Sequence, residues 1–189
     1  MTVRIIDRTL YLPRRRGGVI VVPSWERLKA LGRRLWHAQL SNAAESNLLA
    51  LFFTNTAFAN VGSTGGLQPS SPSGSIYVAI HTANPGATGT QSTSESAYPG
   101  YARVGVVRSG AGWALSGSSP TAAENAAAVT FPQSGSGGST PETETYFSTG
   151  QETSGPGELY WFGALTAPLV VNNLVTPSFA ISSLSATLL

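Results

Sequence analysis

The sequence predicts a mainly β protein: an antiparallel β-sandwich, jelly-roll-like, preceded by one or two short helices and an extended basic N-terminal arm. After Gly62, short apolar or alternating runs recur at intervals of roughly ten residues, with Gly, Ser, Pro and Asn between them. Before Gly62, apolar residues recur at helical spacing. Only 11% of the residues are charged, so Ser, Thr, Gly, Asn and Gln must cover much of the surface. Such surfaces are common on β-rich extracellular and virion proteins.

The chain divides by composition and residue pattern into three segments. Residues 1–23 form a basic extended arm, residues 24–60 a helical segment and residues 61–189 the β-sandwich domain. A chain of 189 residues has room for one domain with a core and an appendage. The strands predicted in the sandwich are 75–82, 102–109, 112–116, 127–131, 144–148, 158–165, 169–171 and 178–182.

The N-terminal part of the chain carries most of the positive charge. Residues 1–34 hold nine basic residues and two acids, a net charge of +7, whereas the rest of the chain holds Arg103 and Arg108 against seven glutamates, a net charge of −5. A basic arm can bind nucleic acid, an acidic protein surface or a membrane. We favour an acidic protein surface because apolar runs flank the arginines. The predicted partner-binding residues of the arm are Arg4, Ile5, Ile6, Arg8, Leu10, Tyr11, Arg14, Arg15, Arg16, Val19, Ile20, Val21 and Val22.

Nucleic acid and membrane are weaker candidates for the arm. Arg14, Arg15 and Arg16 have no interleaved aromatic residues and no folded platform, so we do not expect a nucleic-acid site. The run 4–13 is short and ends in proline, which disfavours an amphipathic membrane helix. No run approaches the ~20 apolar residues of a membrane span, so no membrane span is predicted.

Two helix starts precede the strands. Ser24 follows Pro23 and can act as an N-cap, with apolar residues at helical spacing behind it. The second start is at Asn42, which can also cap, with Glu45 three residues later as in a capping box. The apolar face of this second helix consists of Leu48, Leu49, Phe52 and Phe53.

The sequence holds few residues that could carry catalysis or bind a metal. It has two histidines, one aspartate and no cysteine, and no G-x-S-x-G context for a nucleophile. Neither His37 nor His81 has a His, Asp or Glu at i+2 or i+4 to complete a metal site. Glu142 and Glu144 point to the same side of a strand, as acid–base pairs do, but a solvated face is the favoured interpretation. We therefore predict no enzyme, no cofactor and no metal.

His81 ends a predicted strand and begins a polar loop. The turn Asn84-Pro85-Gly86 follows, and we expect His81 to hydrogen-bond within this loop. The aromatic residues further on could stack on a sugar or on another subunit, but we favour core positions for Tyr101 and Trp113, with only Tyr98 exposed. The candidate ligand-contact residues are His81, Asn84, Tyr98, Tyr101 and Trp113.

Four stretches carry a resemblance to a known family: residues 45–62 (ESNLLALFFTNTAFANVG), 74–113 (GSIYVAIHTANPGATGTQSTSESAYPGYARVGVVRSGAGW), 125–132 (NAAAVTFP) and 159–185 (LYWFGALTAPLVVNNLVTPSFAISSLS). They resemble small tailed-bacteriophage structural proteins that are commonly labelled tail-fibre or tail-fibre-like. The family pattern joins a His-Thr-Ala-Asp-Pro-Gly-like turn to Tyr-x-Gly-Tyr-Ala-Arg and then to a Trp-bearing strand.

In this chain the turn begins at His81, the second motif at Tyr98, and the tryptophan is Trp113. Asn84 stands where the family has Asp, which removes a charge but keeps the capacity to form a turn. The resemblance covers residues 42–185 and leaves residues 1–40 without a counterpart.

The resemblance implies a non-enzymatic structural protein on the exterior of a tailed-phage virion, assembled in the bacterial host cytoplasm. Its partners would be other virion proteins (major capsid, tail or collar proteins) and copies of itself, with no small-molecule substrate. A capsid decoration or cement role and a tail-fibre or collar-like role both stay open. The alternative hypothesis is a carbohydrate-binding host-recognition adhesin that uses the aromatic loop residues.

Overall fold

The structure, a computed structural model, describes residues 40–59, 61–62, 65–117, 122–137 and 141–188, together with the backbone of residues 4–6, 9–13 and 19–22. The chain forms two compact units, Met1–Leu40 and Ser41–Leu189. The helix predicted from Ser24 lies outside the described residues. The division predicted at residues 23 and 60 stays a prediction.

The residues that the structure describes in the N-terminal unit form three short antiparallel strands. They are β1 (Arg4–Ile6), β2 (Thr9–Pro13) and β3 (Val19–Val22), and β2 lies in the middle. Arg4 pairs with Tyr11, and Pro13 pairs with Val19. The apolar runs of the arm are therefore extended, as predicted, and they pair with one another.

The described residues of the C-terminal unit form one helix followed by nine strands. The helix α1 spans Asn42–Phe53, and every strand pair in the unit is antiparallel. The strands are β4 (Ser75–His81), β5 (Val104–Val107), β6 (Trp113–Ser116), β7 (Ala122–Asn125), β8 (Val129–Thr130), β9 (Glu142–Gly150), β10 (Leu159–Val171), β11 (Ser178–Phe179) and β12 (Ser185–Thr187). The sheet orders are β10-β9-β4-β5, β12-β7-β6 and β11-β8. The predicted mainly β, antiparallel fold class is thus confirmed.

Three strand predictions differ from the structure. The runs predicted at 158–165 and 169–171 form one strand, β10, whose register with β9 shifts between Ala164 and Leu169. Strands β7 and β12 were not predicted. They consist largely of Ala, Ser and Asn, which lack the branched and aromatic side chains that mark strands in a sequence.

The N-cap of α1 is Ser41, one residue before the predicted cap. Its hydroxyl accepts a hydrogen bond from the Ala44 N–H at 3.3 Å. Asn42 is the first helical residue, so Glu45 lies one position too far along the helix for a capping box. The far end of the helix is buried: the Phe53 ring packs against Trp113 and Trp161 at centroid distances of 4.7 and 5.0 Å.

Strand β4 lies inside the large sheet and is covered on both faces. Ile76, Val78 and Ile80 face the hydrophobic core. Ala79 and His81 point to the opposite face and are also fully buried. The loop of residues 82–103 covers that second face, because its backbone bonds back to β4: the Ser96 N–H donates to the Ile80 carbonyl at 2.9 Å. This loop holds the residues singled out by the sequence.

Candidate functional site

His81 joins its own loop to the neighbouring strand. Its Nδ1 lies 2.9 Å from the Thr93 carbonyl oxygen and its Nε2 lies 2.7 Å from the Ser148 Oγ. Since a carbonyl can only accept, Nδ1 carries the proton and Nε2 accepts from the serine hydroxyl. Burial lowers the pKa of His81 and outweighs the hydrogen bond to Thr93 and the charge of Glu95, which act in the opposite direction. The imidazole is a neutral bridge inside the protein, and the expected bond to its loop is present.

The Asn84 turn forms as its chemistry predicts. The Asn84 Oδ1 accepts a hydrogen bond from the Gly86 N–H at 2.8 Å, and Gly86 adopts a φ of 72°. A left-handed φ is one that glycine adopts at little cost. The Asn84 side chain is otherwise exposed. The amide therefore supplies the turn capacity that the family's aspartate would supply.

A buried ion pair fixes the end of the loop. Arg103 Nε lies 2.5 Å from Glu95 Oε1, and Arg103 Nη2 lies 2.7 Å from Glu95 Oε2. The same guanidinium donates to the carbonyls of Glu152 and Gly155 at 3.0 and 2.7 Å. The Tyr101 hydroxyl also donates to Glu95. This arginine therefore connects the loop to the β9–β10 connection, and its bidentate geometry favours one fixed arrangement.

Gln91 fills a notch that two glycines leave open. The side chain is fully buried, and its Oε1 accepts from the Glu152 N–H at 2.8 Å. A Cβ at Gly150 would lie 2.1 Å from Gln91 Cδ, and one at Gly157 would lie 2.5 Å from Gln91 Oε1. Gln91 could not be singled out from the sequence, because a single glutamine in a polar loop gives no signal of burial.

The interpretation of Glu142 and Glu144 as a solvated face is wrong for Glu144. Its side chain is fully buried because β9 lies between β10 and β4, and the loop covers this face. The Ser96 hydroxyl donates to its Oε1 at 2.8 Å, while Oε2 has no partner among the described residues. Burial raises the pKa of Glu144 to about 7, with a further contribution from Glu142. The Glu142 carboxylate accepts from the Ala97 N–H at 3.0 Å. Both glutamates therefore hold the loop of residues 82–103 in place through hydrogen bonds.

The expectation that Tyr98 is exposed is also wrong. Tyr98 is 2% exposed and its hydroxyl donates to the Pro132 carbonyl at 2.9 Å. Burial raises its pKa to about 12. Trp113 is 1% exposed, and the partly buried Tyr101 lies between Tyr98 and Phe131 at centroid distances of 5.3 and 6.2 Å. The structure thus places Tyr98 and Trp113 in the core, where neither ring offers a face to solvent.

Arg108 ties the helix to the sheet. Its Nε donates to the Phe52 carbonyl at 2.6 Å and its Nη2 to the Leu51 carbonyl at 2.7 Å. Its Nη1 donates to Ser70 Oγ and to the Ser73 carbonyl at 2.8 and 3.1 Å. A cation is favourable at the C-terminal end of a helix, where carbonyls lack partners. Both arginines of the C-terminal unit therefore serve internal contacts.

The predicted partner-binding residues of the arm fall into two groups. Arg8 and Arg14 to Arg16 lie outside the described residues. The others belong to strands β1 to β3. Their role in binding a partner stays a prediction.

The family model of the Podophage GP4 fiber I protein gp80 matches residues 39–187. The chain belongs to this family. It is a structural protein of a phage virion, and the resemblance seen in the sequence is confirmed at the level of a phage fibre-like protein. The match to this fibre family begins just before α1 and leaves the basic arm outside. No curated protein matches the chain.

Within the ranges given above, no group of three or more His, Cys, Asp or Glu side chains is placed to hold a metal ion. No helix in the described part of the chain is long and apolar enough to cross a membrane.

Proposed function

We propose that this protein is an exterior, fibre-type component of a tailed-phage virion, and that its N-terminal arm attaches it to an acidic surface of a tail or collar protein. The C-terminal unit is the projecting body, and it is assembled onto the particle in the bacterial cytoplasm. Contacts with further copies of the chain complete the assembly. The family match, which spans the body and stops at the arm, is the observation that carries this proposal.

The distribution of charge supports attachment through the arm. Residues 1–34, which include the arm, have a net charge of +7, whereas the rest of the chain has a net charge of −5. Arg103 and Arg108 are engaged in internal hydrogen bonds, and Glu152 and Glu158 are exposed. Both arginines of the described body are therefore already engaged within the protein, which leaves the arm as the main source of free cations for an acidic partner. Electrostatic complementarity of this kind guides docking and fixes its register.

Deletion of residues 1–23 in the phage genome tests the proposal. We expect particles that lack this protein, because the arm holds the attachment residues, while the truncated protein itself stays folded by circular dichroism and thermal melting. Replacing Arg14, Arg15 and Arg16 by Ala in the intact chain is the matched variant, and it should weaken incorporation in a salt-dependent manner. Particles that retain the normal copy number after the deletion would contradict attachment through the arm.

The copy number on purified particles tests the position on the virion. Quantitative mass spectrometry should give a low stoichiometry that follows the symmetry of the tail or collar. A stoichiometry close to that of the major capsid protein would instead assign the chain to a decoration or cement role on the head.

A further inference from the structure

A cleft of about 330 Å³ lies where the end of helix α1 meets the large sheet. This volume falls at the lower end of the range that small-molecule sites occupy, roughly 300–1,000 Å³. Phe52 contributes from the helix, Ser75 from the start of β4, and Tyr160 from the start of β10. Arg108 and Gln151 follow β5 and β9. The cleft thus gathers residues from five separate parts of the fold.

The walls of the cleft are fixed by contacts that need no ligand. Arg108 makes four hydrogen bonds, three to backbone carbonyls and one to the Ser70 hydroxyl. The Tyr160 ring packs edge-on against Phe52 at a centroid distance of 4.8 Å and an interplanar angle of 90°. A site that is formed before binding loses little conformational entropy when the ligand arrives.

Several polar groups in the cleft are available to a ligand. Within the described residues, no hydrogen bond engages the Ser75 hydroxyl, the Tyr160 hydroxyl or the Gln151 side-chain amide. The amide offers both donors and an acceptor, and each hydroxyl can do either. The rings of Tyr160 and Phe52 supply apolar area beside them. This combination suits a ligand that has many hydroxyl groups and an apolar ring face.

The charges around the cleft disfavour an ionic ligand. Burial raises the pKa of Tyr160, and the negative charges of Glu158 and Glu152 raise it further, whereas Arg108 lowers it. Charges of both signs therefore reach the same hydroxyl. Arg108 is the one charged residue among those that line the cleft, and four of its five side-chain N–H groups already donate to the protein. Glu152 and Glu158 do not line the cleft, so a neutral ligand fits it better than an ionic one.

We propose that this cleft binds a neutral saccharide unit, with hydroxyl groups on Gln151, Ser75 and Tyr160 and an apolar ring face against the Tyr160–Phe52 pair. The proposal places a binding activity at residues that the sequence did not single out. It goes beyond the structural role on the virion and does not depend on it, since the body alone contains the cleft.

Saturation-transfer NMR on the full chain tests the proposal with glucose, galactose, mannose, rhamnose and N-acetylglucosamine, each added singly. We expect at least one of these sugars to bind with a Kd in the millimolar range. Gln151→Ala and Tyr160→Phe should each weaken that binding about fivefold or more, because both remove a hydrogen-bonding group and leave the packing in place. Gln133→Ala is the matched control, since Gln133 is an exposed glutamine that does not line the cleft.

Three outcomes would overturn the proposal. The first is a folded chain that gives no signal with any sugar of the panel. The second is a sugar whose binding survives both cleft substitutions. The third is tighter binding of glucuronate than of glucose, which would contradict the neutral ligand class. None of these results concerns incorporation into particles. A failure of the saccharide proposal can therefore be distinguished from a failure of the proposed attachment through the arm.

Discussion

His81 and Ser148 are joined by a 2.7 Å hydrogen bond between Nε2 and Oγ, which connects strand β4 to β9 through their side chains. The two residues lie on the face of the sheet that the loop of residues 82–103 covers. Because the pKa of His81 is lowered by burial, the unfolded chain binds a proton more readily than the folded one. His81 therefore lowers the free energy of unfolding as the pH falls below 6.5, the ordinary pKa of a histidine side chain.

Ser148→Ala should destabilise the protein by about 1–3 kcal/mol, because it leaves the buried His81 Nε2 without a donor. The free energy of unfolding in urea at neutral pH measures the effect. Ser178→Ala is the control, since its hydroxyl is exposed and bonds only to the Thr130 hydroxyl. Equal stability of the two variants would show that the His81–Ser148 bond contributes nothing.

Glu144→Gln should make the stability less dependent on pH. The pKa of Glu144 is raised from 4.5 to about 7, so the folded protein holds this proton more tightly than the unfolded chain. The stabilisation is complete below pH 4.5 and is lost as the pH rises through about 7. In the wild type, we expect the free energy of unfolding to fall by up to about 3 kcal/mol over this pH range because of Glu144. The glutamine variant should lack it.

The difference between variant and wild-type unfolding free energies, measured on both sides of this pH range, isolates Glu144 from His81. The same comparison with Glu158→Gln, an exposed carboxylate, serves as the reference. If the wild type and Glu144→Gln show parallel pH profiles, the carboxyl of Glu144 does not titrate with a raised pKa.

Gly150→Ala should destabilise the protein, because the new methyl group would lie 2.1 Å from Gln91 Cδ. Overpacking of this kind costs about 1–3 kcal/mol. A second substitution, Gln91→Ala, should recover part of the loss, since it removes the atoms that clash. A double-mutant cycle of thermal unfolding measures this coupling. Strictly additive effects would mean that Gln91 does not occupy the notch above Gly150.

The sequence predicted those elements whose side chains carry a strong local signal. Strand β4 was predicted at 75–82 and is found at Ser75–His81, because its alternating branched and aromatic residues are typical of a half-buried strand. The helix start was predicted within one residue of Ser41. Strands β7 and β12 could not be predicted from the sequence. Their alanines Ala123 and Ala186 are buried by neighbouring residues, and alanine has no marked preference for strands.

The burial of polar side chains could not be predicted from the local sequence. The spacing of Glu142 and Glu144 showed that they share a face, but it did not show which segment covers that face. The same holds for Tyr98, which became a core residue only because the loop folds back over the sheet. Such burial depends on contacts between residues far apart in the chain, for example Ser96 with Glu144.

The internal use of Arg103 and Arg108 has a consequence for the approach of two copies of this chain. Neither guanidinium can turn outward without breaking the bonds that hold the loop or the helix. The exposed ionic groups of the described body are thus carboxylates such as Glu152 and Glu158. Bodies of one sign repel one another at low ionic strength and are screened within about 10 Å at 0.1 M salt. Two such bodies should therefore approach each other more readily at about 0.1 M salt than at low ionic strength.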